Sequence, residues 1–95
     1  MNWQRVNHDV YGTIYQLTLP SGVYLEVGEI DGGFWGYTYP WHVEPQDFYP
    51  DTLEQTKEHS TPEAAQHAIL VRTYDLMSKD CEALEALLSP VGNAA

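Results

Sequence analysis

A chain of 95 residues with 14 acidic and 4 basic side chains carries a formal charge of −10. Four cations make no phosphate-binding track, which argues against direct nucleic-acid binding and against docking on anionic membranes. The apolar fraction of 43% belongs to a folded chain rather than an acidic tail, and the length suits one α+β domain over residues 1–95.

The first half is aromatic, β-branched and rich in turn signals. It reads as three antiparallel strands: GTIYQLTL up to Leu19, VYLEVGEI, and FWGYTY. Pro20-Ser21-Gly22 and Asp31-Gly32-Gly33 read as three-residue loops ending in glycine, where a positive φ is free of a Cβ clash. With both loops three residues long, Leu17 faces Leu25, Val27 faces Tyr37 and Leu25 faces Tyr39. One face then gathers Tyr15, Leu17, Leu25, Val27, Trp35, Tyr37 and Tyr39, so Trp35 and Leu25 are expected beneath the helical half. Trp3 and Val6 leave a fourth, N-terminal strand open. Gly36 falls mid-strand, where a missing side chain often marks the close approach of another group.

A polar stretch, HVEPQDFYPD, separates the halves, and Asp51 to Glu54 can start a short helix. The second half is helical. Ser60 and Glu63 have capping-box spacing, and Thr61 as N-cap before Pro62 is an equal alternative. Leu70, Tyr74, Met77, Cys81, Leu84 and Leu88 recur at alternating spacings of four and three, forming one apolar stripe. Ser78-Lys79-Asp80 is a candidate break, giving one helix or two, and Pro90 and Gly92 mark the expected end. The expected architecture is α+β: a three- or four-stranded antiparallel sheet with one or two C-terminal helices packed on one face.

The chemistry-bearing residues fit no catalytic pattern. His8, His42, His59, His67 and Cys81 show no CxxC or HExxH spacing, so no metal is expected. The glycines match neither GxGxxG nor a P-loop, and no cofactor is expected. The serines lack a GxSxG elbow. Cys81 lies on the apolar stripe and reads as a buried, inert thiol. A lone cysteine also excludes an internal disulfide framework and predicts a reducing, cytoplasmic setting. MNWQRVNHDV lacks the apolar core of a signal peptide, and no transmembrane span is expected.

Two surfaces remain as candidates for partner binding. One is acidic: Glu26, Glu29, Asp31, Asp47, Asp51, Glu54 and Glu58 suit a protein partner with a basic surface. The ordinary explanation of such a surface is solubility. The other is the far face of the sheet, where the assumed register puts Ile14, Tyr24, Ile30 and Phe34 beside Gln16, Glu26 and Thr38. Either the proline loop covers it with Trp41, Phe48 and Tyr49, or Tyr24 and Phe34 form a contact surface.

Two resemblances follow from these residues. Asp31-Gly32-Gly33-Phe34-Trp35-Gly36-Tyr37, Pro40, and Thr61-Pro62-Glu63-Ala64-Ala65 together resemble the HicB-like antitoxin pattern, over about 45 residues. That resemblance implies a regulator capping a small basic toxin. In size, acidity and sheet-plus-helix plan the chain also resembles the small acidic inhibitors of phages and mobile elements, the anti-CRISPR and DNA-mimic proteins. This resemblance implies a non-enzymatic inhibitor, a monomer or homodimer in a bacterial cytoplasm, that occupies the basic surface of a nucleic-acid-binding defence complex.

Overall fold

The computed structural model describes residues 1–94, with side chains described through Ser89. It is α+β. Strands β1 (Gln4–His8), β2 (Gly12–Thr18), β3 (Tyr24–Ile30), β4 (Gly33–Tyr39) and β5 (Glu54–Gln55) form one antiparallel sheet in sequential order, followed by helix α1 (Pro62–Ala94). The sheet therefore has five strands where three or four were expected. β1 takes up the N-terminal segment, with Val6 opposite Ile14.

The β2–β3 hairpin has the expected register, with Leu17 opposite Leu25 and Tyr15 opposite Val27. Gly22 closes its loop at φ 97°. The β3–β4 hairpin differs by one residue. Ile30 pairs with Gly33, leaving a two-residue turn of Asp31 and Gly32 at φ 52° and 83°. Positive φ at both positions is the type I′ turn that Asp-Gly favours, since its twist matches the flanking strands. Val27 therefore faces Gly36 and Leu25 faces Thr38. Every β4 side chain changes face relative to the expected register. Trp35, Tyr37 and Tyr39 share the far face with Tyr24 and Glu26, while Phe34, Gly36 and Thr38 lie under the helix.

The short helix expected from Asp51 does not form. Backbone groups there complete the open edge of β4 instead: Leu53 N–H donates to Thr38 O (2.7 Å), and Thr56 N–H to Gly36 O (2.9 Å). His59 then exchanges two backbone hydrogen bonds with Phe34. Three steps of chain from Thr56 to His59 oppose two from Gly36 to Phe34, which makes a bulge.

Thr61 caps α1, its hydroxyl accepting from Ala64 N–H at 3.2 Å, with Pro62 in the first turn. The helix is continuous across Ser78-Lys79-Asp80 and stays helical past Pro90 and Gly92. Its buried residues are Ala65, Ile69 and Thr73, one residue out of phase with the expected stripe. Gly36 sets that phase. A Cβ there would lie 2.8 Å from Ile69 Cβ and 3.1 Å from Ala65 O, so its bare backbone lets the helix come close. The Thr73 hydroxyl meets Thr38 Oγ1 at 2.7 Å. Leu17, Leu25, Val27, Ala65 and Ile69 form the core on this side. Leu70, Tyr74, Cys81, Leu84 and Leu88 are exposed, so Cys81 is not the buried thiol expected.

Candidate functional site

The far face is built from alternate residues of the central strands: Ile14 and Gln16 from β2, Tyr24 and Glu26 from β3, Tyr37 and Tyr39 from β4. Residues 40–53 cross over it. Val43 is fully enclosed against Tyr24 and Tyr39, and Tyr49 and Tyr37 pack at the margin. The Tyr49 ring meets Tyr39 edge-on at 5.1 Å, a preferred aromatic geometry. A turn with Asp47 N–H donating to Glu44 O (2.9 Å) shapes the middle of the crossing.

A carboxyl group lies beneath the crossing segment. Glu26 is 7% exposed, and its Oε1 accepts hydrogen bonds from Tyr24 Oη (2.8 Å) and Tyr49 Oη (2.9 Å). Burial raises the Glu26 pKa above the ordinary carboxylate value, and the two hydroxyl donors offset part of that rise. Burial, and then the charge of Glu26, hold the Tyr24, Tyr39 and Tyr49 hydroxyls protonated well above the usual tyrosine range. Among the described residues, buried Gln16 Nε2 has no hydrogen-bond partner. At the start of the crossing, His42 bridges Thr18 Oγ1 (3.1 Å) and Glu44 Oε1 (2.8 Å), its ring 4.6 Å from Tyr24.

The burial pattern divides the predicted contact residues. Tyr24 is fully buried, and with Glu26 it supports the crossing segment from below rather than presenting surface. Phe34 packs against the core on the helix side. Glu54 is half-buried and paired with Arg72 Nε at 3.3 Å. Glu29 and Asp31 are exposed beside the β3–β4 turn, and Glu58 lies next to Gly33, so these three gather at one end of the sheet. Asp47 and Asp51 are exposed on the crossing segment.

The crossing segment covers the far face with Val43 and Tyr49, not with the other two aromatics. Trp41 is 58% exposed and Phe48 98% exposed. Phe48 sits between Asp47 and Tyr49, so a fully solvated ring adjoins a carboxylate on one side and a hydrogen-bonded anchor on the other. The sequence signal for this was an aromatic pair in a polar, proline-punctuated stretch, with only one of the pair needed for cover.

Among the described residues, no three His, Cys, Asp or Glu side chains are grouped to hold a metal ion. No helix among them is long and apolar enough to cross a membrane. No known protein family, curated protein or solved structure matches the chain.

Proposed function

We propose that the protein is a non-enzymatic binding module that presents the crossing segment, residues 40–53, to a protein with a basic surface. The observation that carries this reading is Phe48: a large ring almost wholly in water, on a segment whose neighbour Tyr49 is fixed to buried Glu26. A solvated aromatic on a fixed support is the kind of side chain that dominates interface energies once buried. Glu44, Asp47 and Asp51 around it supply negative charge, which steers a basic partner and favours correct docking. The perturbed carboxyl of Glu26 is read as structural, because two tyrosine hydroxyls already occupy one of its oxygens. The resemblance to small acidic inhibitors makes a nucleic-acid-binding defence complex the first partner to test.

Binding to a partner captured with the tagged full chain provides that test. Raising salt from about 0.01 to 0.15 M shortens the Debye length from roughly 30 to 8 Å. The on-rate is expected to fall about tenfold over that range, with a smaller change in off-rate. Phe48→Ala should raise the off-rate, and Asp47→Lys with Asp51→Lys should lower the on-rate. Salt-insensitive association, or full affinity after Phe48→Ala, would refute the reading.

A further inference from the structure

α1 covers only part of the sheet. It packs against β3, β4 and β5 and makes no close backbone approach to β1 or β2. A helix about 10 Å across spans about two strands at their spacing of about 4.8 Å. The helix-side face of β1 and β2 is thus left as a shallow slot beside α1, in which Leu17 is already buried by its neighbours. Trp3, Tyr15 and Leu19 are only partly buried there. Beside α1 the slot opens as a groove of about 440 Å³ lined by Leu19, Leu25, Leu70, Tyr74 and Met77.

The same chain carries an unused helix. Described residues 79–89 of α1 are all exposed. Leu84 and Leu88 continue the heptad-spaced stripe that begins with Leu70 and Tyr74 in the groove. A period of 3.5 residues is the signature of a helix that packs on another helix.

We propose that the slot is filled by the overhanging half of α1 from a second copy, in a two-fold dimer with the helices antiparallel. Setting Cys81 of one copy opposite Met77 of the other brings Leu84 to Tyr74 and Leu88 to Leu70. Each overhang then fills the other copy's groove, and both seats are made by one symmetry operation. Twenty residues of helix, about 30 Å, separate the two sheet centres along the pair. Seven-residue strands span about 23 Å, so the sheets clear one another. A three-turn helix seated on one side buries on the order of 400 Å² on each surface, and two seats reach the roughly 1,600 Å² of a stable interface.

Charge disfavours the parallel alternative. Parallel pairing would set Asp80 of one helix against Glu85 of the other, a repulsive contact at the flanking heptad positions.

Sedimentation of the full chain at tens of micromolar is expected to give twice the 10.8 kDa chain mass. Leu84→Asp with Leu88→Asp should return it to a single chain mass with the sheet still folded, since both side chains are exposed in the single chain. Under mild oxidation, Met77→Cys should form a covalent dimer linked from residue 77 to native Cys81. A monomeric native protein, a dimer indifferent to the double aspartate variant, or a dominant Cys81–Cys81 link would each overturn the proposal.

Discussion

The two faces of the sheet hold their covers by different physics. On the helix side, Leu17, Leu25, Val27, Ala65 and Ile69 interlock around the bare backbone of Gly36, with a threonine pair as the main polar contact. On the far side, Tyr24, Tyr39 and Val43 share the interior with a carboxyl group and two phenolic hydroxyls. Apolar burial is non-directional and tolerates volume-conserving exchange. A buried polar cluster is directional, and each member left unpaired is costly. The helix is therefore held by area and close fit, and the crossing segment by a few specific bonds.

The largest effect that would break this contrast lies on the helix side. Leu25→Ala or Ile69→Ala is expected to cost about 2–5 kcal/mol in chemical denaturation, the range for large-to-small changes in a packed core. A loss under about 1 kcal/mol for both would show that the helix is not docked where described. Gly36→Ala comes next, at about 1–3 kcal/mol, because its methyl would press on Ile69 and Ala65 O. Tyr49→Phe removes one hydroxyl from Glu26 and should cost about 1–2 kcal/mol while leaving the helix signal in circular dichroism unchanged. An equal loss of helix and loop signals would mean the two faces are not separable.

A pH effect sharpens the contrast with no change in packing. The folded-state pKa of Glu26 is raised, so below the unfolded value of about 4.5 the carboxyl is protonated in both states and costs nothing. As pH rises past that value, the unfolded chain releases its proton first, and stability falls until the folded carboxyl also ionises. Glu26→Gln keeps an oxygen to accept from both tyrosines and cannot ionise. Its melting temperature should match the parent near pH 4 and exceed it at pH 7. A gap that shrinks as pH rises would contradict the assigned direction.

Local signals were enough for the β2–β3 hairpin and the close approach at Gly36, and they narrowed the cap to Ser60 or Thr61, because turn and capping chemistry act over a few residues. The β3–β4 register was not legible in the same way. Collecting the apolar residues on one face favoured a three-residue loop, where Asp31-Gly32 forms a two-residue turn. That choice gave the larger apolar set to the helix side, whereas residues 40–53 cover the far face too and make Tyr24 and Tyr39 interior there. β5 was hidden for a related reason: its pairing depends on the open edge of β4, a long-range partner that no local propensity encodes. The acidic candidates were readable as a set, but their accessibility was not. Glu26 and Glu54 leave the surface only through contacts with Tyr49 and Arg72, both distant in sequence.

The crossing segment is tied down along its length. His42 holds Thr18, Tyr49 holds Glu26, and Leu53 joins the backbone of Thr38. Between the first two ties, residues 43–48 form a short bridge whose conformation is held by the chain's own contacts. Ordering a loop on contact normally consumes part of the binding free energy, and a bridge held in advance avoids most of that loss. If the protein binds as proposed, exchanging Gln46, Asp47 or Phe48 would change what the bridge recognises while its supports stay in place, which makes this stretch a natural site for redirecting specificity.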